Sequence, residues 1–269
     1  MKPFNYHCHA TYSDGKITPE EMVIAAIEAG GDSFGISEHY VSAVATSYSV
    51  SPQREALYRS EMQRLKEKYK DKIELFLGAE MDFTSPVAIG YDYIIGSVHY
   101  FEIDGQFIAV DHFAKEQIEA ADKYFGGDMV SLACNYYELL AKMPQKFKFD
   151  IVGHFDLVTK FNEGDSLFST SDKRYVGAAE RALEALVPTG AVFEINTGAI
   201  SRGYRTESYP SDYFLNIIRE MDGSVTFSSD AHNASNIFFG FDDVIERAKI
   251  AGFKSFKKLT KKGFVDEEL

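Results

Sequence analysis

Short apolar runs alternate with amphipathic segments along the whole of this chain, and each apolar run closes on histidine or carboxylate. Such alternation is the pattern of βαβ units and a parallel sheet. Residues 4–9 read as a first strand. Thr18-Pro19-Glu20-Glu21 opens a helix, with Thr18 as cap, Pro19 in the first turn and Glu21 able to close a capping box. Gly30-Gly31 ends that helix, and 32–39 is the next strand. Ser51-Pro52 opens a second helix, in which Tyr58, Met62, Leu65 and Tyr69 recur at helical spacing. Strands are expected over 73–83 and 91–100, then a tight hairpin at Asp104-Gly105. Helices over about 114–126 and 128–143 interrupt the alternation before a strand at 150–156. A helix over about 172–187 carries the stripe Val176, Ala179, Leu183, Leu186. Strands at 191–197 and 224–232 are joined through a helix over about 211–221, and a last helix lies near 236–251. Seven strands with helical crossovers come close to a barrel count.

The polar residues then fall in one place. The strands end in His7-Cys8-His9, Glu38-His39, Glu80, His99, His154-Phe155-Asp156, Glu194-Ile195-Asn196 and Asp230-Ala231-His232. Six of the seven histidines stand at C-terminal strand ends, the end of an α/β barrel that carries chemistry. Residues i and i+2 of a strand share a face, so His7 and His9 point together into the barrel mouth while Cys8 points away as a small packing residue. Asp230 and His232 repeat the arrangement. Converging carboxylates repel one another unless a cation lies between them. Imidazole with carboxylate suits zinc, iron or manganese, and so many ligands imply more than one ion. His112 alone lies away from a strand end and is expected to be dispensable.

Composition narrows the class of partner. The 269 residues carry 28 Lys and Arg against 41 Asp and Glu, a net charge of −13. So acidic a surface disfavours nucleic acid and anionic lipid as partners and favours a small substrate bearing positive charge. No apolar stretch reaches the ~18 residues of a membrane helix, and the first residues lack the apolar core of a signal peptide. Cys8 and Cys134 fit reduced thiols of a cytoplasmic protein. The run Lys254, Lys257, Lys258, Lys261, Lys262 is expected to be solvated. No linker or repeat divides the chain, so a single domain over 1–269 is expected.

HCHATYSDG with TPEE after it resembles the opening motif of the PHP (polymerase and histidinol phosphatase) superfamily. GISEH, FLGAEMDF, YIIGSVHY, IVGHFD, FEINTGAISRGYRTESYPS and FSSDAHN extend the resemblance over most of the chain. GHFDLVTKFN and the EINTG block are more similar to monofunctional histidinol-phosphate phosphatases of lactic-acid bacteria than to polymerase-linked members. The resemblance implies a distorted (β/α)7 barrel with three divalent ions at its C-terminal rim. It implies His7, His9, Glu80 and Asp230 on the first, Glu80 bridging to a second held by His99 and His154, and Asp14, His39 and His232 on the third. Asn5 stands where many members have Asp, which is expected to weaken a hydrogen bond to a ligand histidine, and Ala10 where they have Ser or Thr.

The implied reaction is hydrolysis of L-histidinol phosphate to L-histidinol and phosphate in histidine biosynthesis, through attack of a metal-bridging hydroxide. Glu80, Asp230 and His232 are then the catalytic candidates, the last two as proton donors only if not committed to ions. Lys160, Arg202 and Arg205, on loops after strands five and six, are candidates for gripping the phosphate. Two other functions stay open: a PHP phosphodiesterase or exonuclease, and a non-catalytic metal-binding module.

Overall fold

The computed structural model describes residues 2–44 and 48–269. Its elements run β1 (Phe4–Asn5), α1 (Pro19–Glu28), β2 (Ser33–His39), α2 (Pro52–Tyr69), β3 (Glu74–Asp82) and β4 (Tyr93–Ser97). There follow β5 (Tyr100–Ile103), β6 (Gln106–Ala109), α3 (Ala114–Phe125), α4 (Met129–Lys146), β7 (Ile151–Val152) and α5 (Lys173–Leu186). The chain ends with β8 (Val192–Asn196), α6 (Gly198–Ser201), α7 (Asp212–Glu220), β9 (Ser224–Ser228), α8 (Phe241–Ile250), β10 (Ser255–Thr260) and β11 (Gly263–Glu268).

One parallel sheet takes the order β1-β2-β3-β4-β7-β8-β9. It closes where the tail of β1 meets the tail of β9: His9 N donates to Ala231 O at 2.8 Å and Ala231 N to His7 O at 3.3 Å. The result is a distorted (β/α)7 barrel whose two closing segments both carry histidines. Local signals explain the elements. Thr18 and Glu21 form the capping box of α1, and Ser51 caps α2, which buries Tyr58, Met62, Leu65 and Tyr69. Asp104 and Gly105 both take positive φ (52° and 72°), the turn that a two-residue hairpin needs between β5 and β6. Inside the barrel the ring of Tyr93 lies across β2 and β3. A Cβ on Gly35 or Gly78 would come within 2.3 Å or 2.2 Å of it. Among the described residues no helix is long and apolar enough to cross a membrane.

Four strands are shorter than their apolar runs suggest; among them the fourth, expected over 91–100, is regular only at Tyr93–Ser97. The first, expected over 4–9, is regular only at Phe4–Asn5; the fifth, expected over 150–156, only at Ile151–Val152; the last stops at Ser228 rather than 232. Side chains take over the backbone groups there. Asn5 Oδ1 accepts from His7 N, Ser37 Oγ from Cys8 N and Glu194 Oε1 from His154 N. Asp230 has a positive φ of 49°, strained for a residue with a Cβ. Cys8 packs in a buried cluster with Phe34 and Ile36, away from the histidines, and both cysteines are free.

The β10–β11 hairpin has no counterpart in the expected elements. It covers the strand starts, with Phe256 stacked on Phe4 at 5.4 Å and Tyr6 Oη bonded to the backbone N and O of Leu259. The lysine run, expected to be solvated, is therefore divided. Lys258 is 9% exposed and donates to Asp32 Oδ1 and Oδ2 at 2.8 and 3.0 Å.

Candidate metal centre

Six imidazoles and three carboxylates converge at the C-terminal rim. His7 and His9 follow β1, His39 ends β2, Glu80 lies near the end of β3, and His99 and His154 follow β4 and β7. Asp230 and His232 follow β9, and Asp14 comes from the loop after β1. They form four overlapping groups: His9, Asp14, His39, His232; His7, His9, Asp230; His7, Glu80, His154; and His39, Glu80, His99. Within each group the ligand-type atoms lie within 4.8 Å of one another.

Glu80 is the hub. Its Oε1 lies 2.9 Å from Nε2 of both His99 and His154 and accepts from Ser97 Oγ at 2.8 Å. Its Oε2 lies 2.9 Å from His39 Nδ1, 3.2 Å from His7 Nε2 and 3.4 Å from His9 Nε2. Those three contacts are close but misaligned for hydrogen bonding, so Oε2 has no donor among the described residues. Asp230 Oδ1 faces His9 Nε2 at 3.2 Å and His7 Nε2 at 3.7 Å. Asp14 faces His232 Nε2 at 3.3 Å and His39 Nε2 at 3.7 Å.

This donor set fits divalent cations. His7 Nε2, both ring nitrogens of His9, His154 Nδ1 and Glu80 Oε2 are buried without a hydrogen-bond partner among the described residues. Each such orphan costs about 1–3 kcal/mol. Burial, reinforced by His39 and His232, pushes His9 down to about 3, which leaves its ring neutral with a lone pair to offer. Burial works to raise Glu80 and Asp230. It is outweighed by His7, His39 and His99 around Glu80, and by Arg202 and His7 around Asp230, so both are held well below the usual carboxylate range. Against the opposing effect of burial, carboxylates with Glu80 among them draw His7, His39 and His99 above the usual imidazole range, so a cation binds as those protons leave. Neutral imidazoles beside ionised carboxylates are then the ligands that zinc, iron or manganese takes.

Four residues that the motifs did not single out as site groups hold these ligands in place. Glu194 Oε2 meets His7 Nδ1 at 2.8 Å and also accepts from Ser228 Oγ at 2.7 Å. Its Oε1 accepts from His154 N at 2.6 Å and Asn196 Nδ2 at 2.8 Å. Asp111 Oδ1 lies 3.4 Å from His99 Nδ1, and Asp82 Oδ2 accepts from His99 N at 2.6 Å. Glu38 lies under the loop that carries Asp14. Glu194, Asp82 and Glu38 all sit at strand ends, a signal that marks the rim without separating ligand from support. Asp111 follows the hairpin and had no signal. Asn5 does not reach a histidine ring; it donates to Ser229 Oγ and Ile237 O, and Glu194 orients His7 instead.

The three loop cations divide. Lys160 and Arg202 line a cleft of about 330 Å³ together with His39, His99, His154 and Asp230. Lys160 Nζ donates to Asp111 O at 2.6 Å. Arg202 donates to Asp230 Oδ2 at 2.7 Å and Asp230 O at 2.8 Å, so it is not independent of the candidate ligands. Arg205 turns away. It donates to Thr159 O at 2.7 Å and lines a separate cavity of about 760 Å³ with Asp156 and Glu207, which none of the histidines reaches. His112 is exposed, pairs with Glu116 and belongs to none of the four groups.

The chain is similar to a probable histidinol-phosphatase of Schizosaccharomyces pombe, 28% identical over 260 residues, which cover 87% of this chain and 82% of the relative. It is 25% identical to the histidinol-phosphatase of Lactococcus lactis over 268 residues, 94% of this chain and 93% of the relative. A candidate histidinol phosphatase from Listeria monocytogenes has the same fold, with a TM-score of 0.75 at 22% identity, over 90% of this chain and 99% of that one. The Lactococcus lactis histidinol phosphate phosphatase, solved with zinc, L-histidinol and phosphate, superposes with a TM-score of 0.70 at 21% identity, over 98% of this chain and 99% of that one. The PHP domain family matches residues 5–198, which takes in seven of the nine converging side chains, and the chain belongs to that family.

Proposed function

We propose that this protein is a metal-dependent phosphomonoesterase that hydrolyses L-histidinol phosphate to L-histidinol and inorganic phosphate. The carrying observation is the nine-residue cluster facing a cleft that also holds Lys160 and Arg202. Relatives named histidinol-phosphatase over most of their length support the choice of substrate. His7, His9, Glu80 and Asp230 would hold one ion, with Glu80 bridging to a second on His99 and His154, and Asp14, His39 and His232 would hold a third. Bound there, the ions supply an acidified water near neutral pH and Lewis-acid contacts to phosphoryl oxygens.

The chain's own residues do the rest. Nδ1–H of His7 toward Glu194, and of His232 toward Asp230 O at 2.9 Å, leaves each Nε2 lone pair aimed at the cluster. Lys160 and Arg202 add positive charge on the open side, where a phosphate dianion enters. Arg202 spans Asp230 and the cleft, so it can orient a ligand and meet phosphate with one guanidinium. Asp111, beside Lys160, gives the cleft an anionic group for the cationic end of the substrate. With Asp230 and His232 serving as ligands, neither is free to protonate the leaving alkoxide.

Phosphate release from L-histidinol phosphate, measured against a phosphodiester such as bis-p-nitrophenyl phosphate, tests this function. We expect kcat/KM for the monoester to exceed that for the diester by at least about 100-fold, or about 2.7 kcal/mol of transition-state discrimination. Preference for the diester would establish the phosphodiesterase alternative. A metal-loaded protein that releases no phosphate would leave only a binding module.

A further inference from the structure

Eight of the nine candidate ligands lie in the last three residues of a barrel strand or within four residues after one, but Asp14 does not. It stands on a loop with its side chain 34% exposed, whereas His9 and His39 in the same group are 0% and 12% exposed. What fixes that loop is Glu38. On β2 it points to the opposite face from His39, into the loop after β1, and it is 1% exposed. Its Oε2 accepts from Ala10 N at 3.1 Å, from Ser13 N at 3.2 Å and from Ser13 Oγ, and its Oε1 accepts from Tyr12 N at 3.3 Å. Three backbone N–H groups within residues 10–13 of one loop thus converge on one buried carboxylate. Without it those at Ala10 and Tyr12 have no other acceptor among the described residues, and buried N–H groups are seldom left so.

The loop has little other freedom. Gly15 N donates to Ala10 O at 3.0 Å, and a Cβ on Gly15 would lie 2.3 Å from His9 O. Lys16 N donates to His232 O at 2.8 Å, which ties the far end of the loop to another member of the same group. Asp14 is held between these two anchors.

We infer that Glu38 is a positioning residue: its carboxylate folds residues 10–14 into the shape that presents Asp14, and so sets the affinity of the outer cation without touching it. The inference rests on the proposed assignment of Asp14, His39 and His232 to a third ion. A glutamine at 38 keeps the volume but turns an NH2 donor toward the backbone donors that both carboxyl oxygens accept from.

The test uses the full-length protein. Wild type, Glu38→Gln, Ser13→Ala and Asp14→Asn are stripped of metal and titrated with Mn²⁺ or Zn²⁺ by calorimetry, and amide exchange is followed in the metal-free proteins. Glu38→Gln should bind its weakest ion about 10- to 100-fold less tightly, the usual effect of removing an outer partner of a ligand. The other two ions should be unchanged, and amides 10–14 should exchange faster while those of β3 and β8 do not. Ser13→Ala, which loses one of the four contacts and leaves the carboxylate, should shift the same ion by a few-fold and guards against a misfolded Glu38→Gln. Wild-type affinities and exchange in both variants would overturn the positioning role. Three tightly held ions in Asp14→Asn would instead overturn the ion assignment, and faster loop exchange in Glu38→Gln would still report what the carboxylate does.

Discussion

Glu80→Gln removes a single charge from the atom pair around which the centre is organised. Glu80 contacts five imidazoles, two through Oε1 at 2.9 Å and three through Oε2 at 2.9 to 3.4 Å. It is 1% exposed, so no water replaces what it supplies. In the proposed assignment it is the one residue shared by two ions. Loss of a group that merely orients a ligand costs about 10- to 100-fold in affinity or activity, which is a floor for a shared ligand. Two decades correspond to about 2.7 kcal/mol for each ion. The amide would also turn an N–H toward imidazole nitrogens or Ser97 Oγ, in place of an oxygen that accepts from Ser97 Oγ. We therefore expect two of three equivalents of metal to be lost on dialysis and kcat/KM to fall by at least about 100-fold. Elemental analysis and phosphate-release kinetics on the same samples decide it. Near-normal turnover with three bound equivalents would show that the bridge lies elsewhere and that the convergence on Glu80 is structural.

Lys160→Ala should keep its metals and lose roughly 10- to 100-fold in kcat/KM, the effect of one charge-assisted contact of ~1.5–3 kcal/mol; wild-type kinetics would reduce Lys160 to a salt-bridge partner of Asp111. Arg202→Ala should lose both activity and part of its metal, because Asp230 loses its donor; full metal content would show that Asp230 is oriented by the histidines alone. His112→Asn should retain full metal content, and depletion would mean a ligand outside the rim. Lys258→Ala should lower stability by about 1–3 kcal/mol in chemical denaturation, since its half-buried Asp32 partner is left unpaired, while metal content stays unchanged. Removing metal with a chelator should lower Tm, because buried lone pairs lose their partner; an unchanged Tm would argue that the cluster folds equally well empty.

The rim was legible because two periodicities coincide. Apolar runs of strand length mark where strands lie, and histidine or carboxylate at the end of each run marks which end is functional. His7, His39, Glu80, His99, His154 and Asp230 follow from that rule. The strand lengths did not follow, because ladder hydrogen bonds near the rim give way to bonds from Asn5, Ser37 and Glu194, and no local pattern announces a side chain replacing a backbone partner. Glu194 carries the same signal as Glu80; only its position beside Ser228 and Asn196 makes it a support. Arg205 and Arg202 are equally placed in sequence, but α6 and the turn after it point them to different cavities. The C-terminal hairpin was hidden because a lysine run reads as solvated, whereas Lys258 alternates inward between Phe256 and Leu259 to meet Asp32.

The charge balance brings the cleft and the whole molecule together. A chain at −13 is a poor attractor of phosphate dianions. On the proposed assignment, three divalent ions against the carboxylates of Asp14, Glu80, Asp111 and Asp230 leave a surplus of about two positive charges at the rim, before Lys160 and Arg202 are added. Screening confines the field of the distant acidic surface to about 8–10 Å at physiological ionic strength, so the local surplus governs inside the cleft. On the proposed assignment metal loading adds positive charge to the cleft, so the loaded site should draw the phosphate in more strongly than the empty one. A substrate with a dianionic head and a cationic tail suits both regions, with the head on the ions and the tail toward acidic surroundings. The metal-free protein should therefore bind inorganic phosphate more weakly rather than merely lose turnover. Isothermal titration of phosphate into loaded and stripped protein measures this directly, and equal affinities would mean that Lys160 and Arg202, not the ions, set the charge of the site.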